Sequence, residues 1–169
     1  LTPSDREQGA LWRLPADPAN GQYANPILLM DSLKRPLDAV FADLDNDGDE
    51  DRVVATYGNQ TGFLAWDEHV GNGQYTQHLL RATPGARNIY VRDLNRDGLQ
   101  DLAVLFAQGD ERISFFYNQG DGTFREKPVL RFQSVWGSSW FEFADFNQDG
   151  RDDILYANGD NADYSYTEK

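Results

Sequence analysis

Short apolar patches, evenly spaced, set the rhythm of this chain. Ala39 and Phe41, Ile89 and Val91, and Phe141 and Phe143 alternate toward one face, each pair just ahead of an aspartate. A few residues later come nearly unbroken apolar runs at 53–55, 102–107 and 154–156. Runs of that kind suit central strands covered on both faces. A third set of strands is expected at 63–66 and 113–117, and a fourth at 75–80 and 124–130. Between third and fourth lie Asn72-Gly73-Gln74-Tyr75 and Asp121-Gly122-Thr123-Phe124, and Asn20-Gly21-Gln22-Tyr23 repeats the pattern earlier. Asn-Gly or Asp-Gly before an aromatic is a strong hairpin signal. No stretch of helical length shows helical periodicity. Each unit therefore reads as four short antiparallel strands in about fifty residues, the period of a propeller blade.

The strongest repeat lies between the first and second strands. Asp43-Leu44-Asp45-Asn46-Asp47-Gly48-Asp49-Glu50-Asp51 recurs as Asp93-Leu94-Asn95-Arg96-Asp97-Gly98-Leu99-Gln100-Asp101. It recurs again as Asp145-Phe146-Asn147-Gln148-Asp149-Gly150-Arg151-Asp152-Asp153. Leu44, Leu94 and Phe146, at the second position, are apolar and can tuck each loop against the core. Oxygen donors at positions 1, 3 and 5 of a tight loop can all turn inward, and glycine at position 6 allows the bend. Position 7 offers a backbone carbonyl, so Asp49, Leu99 and Arg151 can differ in type. Position 9 closes the site with Asp51, Asp101 or Asp153. A hard cation with six to eight oxygen ligands fits such a loop, and Ca²⁺ fits better than Mg²⁺, which demands a rigid octahedron. An EF-hand would run on to a Glu at position 12 between helices. Closure at position 9 between strands argues for a strand–loop–strand site.

Composition sharpens this picture. The 169 residues carry a formal charge of −13, with 21 Asp against 7 Glu. Ten of those Asp occupy proposed side-chain ligand positions. An acidic chain lacks the basic footprint of a nucleic-acid binder. Its apolar runs are too short to span a bilayer as a helix. With 0 Cys there are no disulfides, no thiol chemistry and no Cys-based zinc sites. No Gly-x-Ser-x-Gly, P-loop or dinucleotide fingerprint is present.

The acidic loops, the apolar strand after each, and the turn Asn118-Gln119-Gly120-Asp121-Gly122-Thr123-Phe124 resemble FG-GAP/VCBS repeats, the blades of the integrin α-subunit-like β-propeller. The resemblance covers roughly residues 37–161. The Phe-Gly…Gly-Ala-Pro cage is not intact, since Tyr57-Gly58 precedes Gly62-Phe63 with no Gly-Ala-Pro, so the chain looks closer to VCBS-type repeats than to an integrin. The resemblance implies Ca²⁺ at Asp43, Asp45, Asp47 and Asp51, at Asp93, Asn95, Asp97 and Asp101, and at Asp145, Asn147, Asp149 and Asp153. It also implies an extracellular, periplasmic or cell-surface setting.

The expected architecture is all-β. It comprises a half blade at 1–36, blades at 37–83 and 84–132, and a half blade at 133–169, as a segment of a longer propeller. About three Ca²⁺ ions would serve a scaffold that binds a protein or carbohydrate ligand or mediates adhesion. The alternative is a fragment of a carbohydrate-active or redox enzyme on a propeller platform. Open blade edges could support self-association. Trp12, Trp66, Trp136 and Trp140 are expected mainly in blade cores, with Trp136 and Trp140 the best placed for a ligand. His69 and His78 look isolated. Gly159-Asp160-Asn161-Ala162-Asp163 reads as a hairpin.

Overall fold

In the computed structural model, which describes residues 7–159, twelve strands fall in chain order into four separate antiparallel sheets. Strands β3 (Pro36–Ala42), β4 (Asp51–Thr56), β5 (Phe63–His69) and β6 (Tyr75–Arg81) form one four-stranded sheet in that order. Strands β7 (Ala86–Arg92), β8 (Asp101–Phe106), β9 (Arg112–Asn118) and β10 (Phe124–Arg131) form a second sheet with the same topology. A two-stranded sheet precedes them, β1 (Glu7–Arg13) with β2 (Ile27–Lys34). Another follows, β11 (Ser138–Ala144) with β12 (Asp153–Asn158). The one helical element among the described residues is a single 3-10 turn, Ser134–Trp136, leading into β11. The architecture is all-β, with four-stranded antiparallel blades of a partial propeller.

The sheets stack face to face, which explains the unbroken apolar runs. Along β8, Leu102, Val104 and Phe106 join Leu44, Val53, Leu64 and Trp66 in a core between the two full blades. Ala103 and Leu105, facing the other way, join Ile113 and Phe141 in a second core against β11 and β12. Both faces of β8 are therefore buried. The third run behaves differently: in β12, Leu155 is exposed while Ile154 and Tyr156 are half-buried. Only one face of that sheet is covered by another sheet among the described residues.

First strands sit nearest their counterparts, with β7 against both β3 and β4. A side chain on each first strand ties it to the next. Asp38 accepts the Ile89 N–H at 2.8 Å, and Asn88 accepts the Phe141 N–H at 3.4 Å. Tyr90 donates its hydroxyl to the Phe141 carbonyl at 2.9 Å. Buried Glu111 binds the Ser138 N–H at 2.8 Å, joining the second blade to β11. The alternation at 39–41 is also refined by this stacking. Val40 and Ala42 turn toward the second blade, while Phe41 faces a cleft of about 880 Å³ toward β1 and β2.

The hairpin turns form where the Asn-Gly and Asp-Gly signals lie. Asn72 and Gly73 both take positive φ, 54° and 71°, and close β5 onto β6. A tighter constraint appears between β4 and β5. A Cβ on Gly62 would lie 2.4 Å from the carbonyl oxygens of both Thr56 and Tyr57. Both are backbone atoms and cannot swing aside. Gly62→Ala is therefore expected to cost about 1–3 kcal/mol in urea denaturation. A wild-type midpoint would show that the β4–β5 turn yields.

Candidate metal centre

Each acidic loop leaves a first strand, reverses, and enters the central strand, so the three loops lie at corresponding corners of successive sheets. The reversal uses two left-handed residues per loop. Position 6 is glycine at φ 97°, 91° and 83° for Gly48, Gly98 and Gly150. A Cβ there would meet nothing within 4 Å, so conformation and not space selects glycine. Position 4 is also left-handed, at Asn46, Arg96 and Gln148, with φ 62°, 65° and 60°. The sequence pattern leaves position 4 free, and its varied residues gave no hint of this.

Position 1 organises the turn. Asp43, Asp93 and Asp145 each accept the glycine N–H of their loop through Oδ2, at 3.2, 3.0 and 2.9 Å. Position 3 accepts the N–H of position 5 in every loop: Asp45 from Asp47, Asn95 from Asp97, Asn147 from Asp149. Position 5 accepts the N–H of position 7, on Asp49, Leu99 and Arg151. The backbone thus wraps around three inward side chains.

The first loop gathers the most charge. Oxygens of Asp43, Asp45 and Asp47 all lie within 4.8 Å of one another, the one such acidic trio among the described residues. Oxygens sharing a cation at about 2.3–2.6 Å must lie within roughly twice that distance. Asp43 Oδ1 and Asp49 Oδ1 are buried and accept no hydrogen bond. Unpartnered buried carboxylate oxygens are costly in an ion-free loop, and a cation would satisfy them. In the second and third loops, Asn replaces the middle carboxylate, and its amide donates to Asp97 at 2.7 Å and to Asp149 at 3.1 Å.

The position-9 aspartates play another part in the fold. Asp51 accepts the Leu44 N–H at 3.0 Å and the His69 N–H at 2.8 Å. Asp101 accepts the Leu94 N–H at 2.9 Å and the Asn118 N–H at 2.8 Å. Asp153 accepts the Phe146 N–H at 3.2 Å. Asp51 and Asp101 thereby brace their loops against the end of the third strand.

Electrostatics follow from burial. The Asp45 carboxyl is held above its ordinary value, chiefly by removal from water, with Asp51, Asp47 and Glu68 adding repulsion against the Asp47 N–H. Asp101 is raised for the same leading reason, with the Asn118 and Leu94 N–H groups opposing and Asp97 and Asp93 adding. For a carboxyl raised on folding, the stabilising contribution is complete below the ordinary value of 3.8 and is lost as pH climbs through the raised one. At neutral pH these two ionised carboxyls therefore weigh against folding.

Other expected residues distribute unevenly. Leu44 is buried in the first core and Leu94 packs on the second, but Phe146 is 74% exposed because no sheet among the described residues follows to cover it. Trp66 is core, whereas Trp12, Trp136 and Trp140 are exposed. Neither histidine is isolated: His69 Nδ1 lies 2.8 Å from Asp49, and His78 Nε2 lies 2.6 Å from Glu68 while its ring stacks on Trp66. The hairpin expected at 159–163 lies outside the described residues beyond Gly159.

A family model described as FG-GAP-like repeat matches residues 43–104 and again residues 101–156. No curated protein gives a significant match to the chain.

Proposed function

From the premise that this chain belongs to the FG-GAP-like repeat family, we propose that its three acidic loops are Ca²⁺ sites of an extracytoplasmic propeller module that presents a binding surface to a protein or glycan. The observation that carries the reading is the Asp43, Asp45 and Asp47 trio with the buried, unpartnered Asp43 Oδ1. All the donors are oxygens, the preference of a hard cation. Asp43, Asp45 and Asp47 would hold the ion in the first loop, Asp93, Asn95 and Asp97 in the second, and Asp145, Asn147 and Asp149 in the third. The position-7 carbonyls and position-9 carboxylates would complete each shell. The bound ion would supply charge neutralisation and fix the corner between first and second strands. Ligand charge sets affinity in such loops, so the first loop, with three inward carboxylates, would bind most tightly.

The cleft beside that loop supports the binding role. Trp12, Leu28, Phe41 and Tyr75 line it with exposed apolar and aromatic surface, and Arg52 and Glu50 add charge. Flat aromatic faces beside charged groups suit a sugar ring or a protein side chain. No helix among the described residues is long and apolar enough to cross a membrane. Extracellular modules work at free Ca²⁺ of roughly 10⁻⁴–10⁻³ M, the concentration an extracytoplasmic setting would supply.

The test is thermal melting in Ca²⁺ and in chelator, with elemental analysis of the bound metal. Free Ca²⁺ at about ten times the dissociation constant adds on the order of 1.4 kcal/mol per site, or about 3–6 °C in Tm for a domain of this size. Asp97→Ala should remove about one ion per chain. Identical melts with no bound metal would defeat the reading.

A further inference from the structure

We infer that the first and second acidic loops bind their cations as a coupled pair, and that Asn118 is the positioning residue that couples them; this rests on the Ca²⁺ reading above. Asn118 closes β9 and is 2% exposed. Every polar group it owns, apart from its own carbonyl, is committed to one loop, the other, or its turn. Its backbone N–H donates to Asp101 Oδ1 at 2.8 Å, at position 9 of the second loop. Its side-chain amide donates to the Gln100 carbonyl at 3.2 Å, at position 8 of that loop. The same amide donates to the Leu44 carbonyl at 2.6 Å, at position 2 of the first loop, on the neighbouring blade. Its side-chain oxygen accepts the Gly120 N–H at 3.0 Å and so holds the following turn.

The path between the loops is short and continuous. Asp51 Oδ2 accepts the Leu44 N–H, the Leu44 carbonyl accepts from Asn118, and Asp101 accepts from both Asn118 and Leu94. Leu44 lies between two of the inward carboxylates, Asp43 and Asp45. Drawing those carboxylates onto an ion fixes the Leu44 peptide. A fixed Leu44 carbonyl fixes the Asn118 side-chain amide, which holds the Gln100 carbonyl of the second loop, while the Asn118 backbone N–H holds the adjacent Asp101. The ordering cost of Asn118 is then met once, by whichever loop fills first, and the second ion binds more tightly.

The first blade supplies a contrast. His69 occupies the corresponding place at the end of β5, and its N–H likewise donates to the position-9 aspartate, Asp51, at 2.8 Å. Its side chain turns to Asp49 of its own loop, at 2.8 Å, and not to the preceding blade. The side-chain link between the first and second loops therefore belongs to the Asn118 position, whereas the second and third loops meet through the ion pair of Arg92 with Asp152.

The experiment is a Ca²⁺ titration of the full chain followed by the amide resonances of Gly48, Gly98 and Gly150, each of which donates to the position-1 aspartate of its own loop. Disabling the first loop with Asp47→Ala should weaken the second loop about fivefold or more, the lower end of ordinary coupling, and leave the third unchanged. In an Asn118→Ala background, the same Asp47→Ala change should no longer move the second loop. Asn118→His, which installs the first blade's residue, serves as the second variant if the alanine chain folds poorly. A second loop indifferent to Asp47→Ala in the wild-type background overturns the coupling, whatever the Asn118 variants do. A drop that persists without Asn118 overturns its assignment. If no glycine resonance responds to Ca²⁺ and no ion binds, the Ca²⁺ reading itself falls and takes the coupling with it; site-resolved binding without coupling sinks the inference alone.

Discussion

Asp101→Ala is expected to lower stability by about 2–4 kcal/mol even in chelator, where no cation is at stake. Asp101 is fully buried, and its two oxygens satisfy the N–H groups of Leu94 and Asn118. Alanine leaves both donors without partners, each at about 1–3 kcal/mol. Part of that loss is offset, because a buried carboxylate held above its ordinary pKa is itself under desolvation strain. Asp97→Ala is the control. Asp97 is exposed, and it accepts the Leu99 N–H at 2.9 Å at a site open to water. Its loss should cost less than about 1 kcal/mol in chelator while abolishing the Ca²⁺-dependent increment of the second loop. Urea denaturation of both variants with and without Ca²⁺ separates the two roles. An Asp101→Ala chain as stable as wild type in chelator would mean that position 9 does not brace the loop. Asp101→Asn should fall between, since it keeps one acceptor and turns a donor toward the other N–H.

The bracing role of position 9 could not be read from the repeat. Asp43, Asp45, Asp47 and Asp51 are spaced like one ligand set, and spacing does not say which way a side chain turns. The strands were legible because their periodicity reports burial directly: the run at 102–107 is buried throughout. The hairpins were legible because Asn72-Gly73 tolerates the left-handed backbone that the turn requires. What escaped depends on neighbours distant in sequence. Asn118 reads locally as the first residue of a turn motif, yet its strongest partner, the Leu44 carbonyl, lies on another blade. His69 looks isolated in sequence because Asp49 reaches it only when β4 pairs with β5. The same logic misled the reading of Phe146. An apolar residue at loop position 2 is core only where a following sheet covers it, as happens for Leu44 and Leu94.

This difference leads to the second large effect, a comparison of the same loop position in two settings. Leu44 is 2% exposed and packs with Val53, Trp66 and Phe116 in the core between the full blades. Leu44→Ala should cost about 2–5 kcal/mol, the range for deleting a buried leucine where neighbours relax only in part. It should also weaken the first Ca²⁺ site, because the leucine anchors the peptides between Asp43 and Asp45 while its N–H is held by Asp51. Phe146, at 74% exposure, has no such anchor. Phe146→Ala should stay within about 0.5 kcal/mol of wild type and leave the third site's affinity in place. Denaturation and Ca²⁺ titration of the two variants side by side test whether loop geometry is imposed by the core beneath it. Equal losses in both would place the determinant inside the nine-residue loop. A loss confined to Leu44→Ala places it in the packing of one blade on the next. On that account, each site is completed by the blade that follows it, and the cation secures a corner that burial has already shaped.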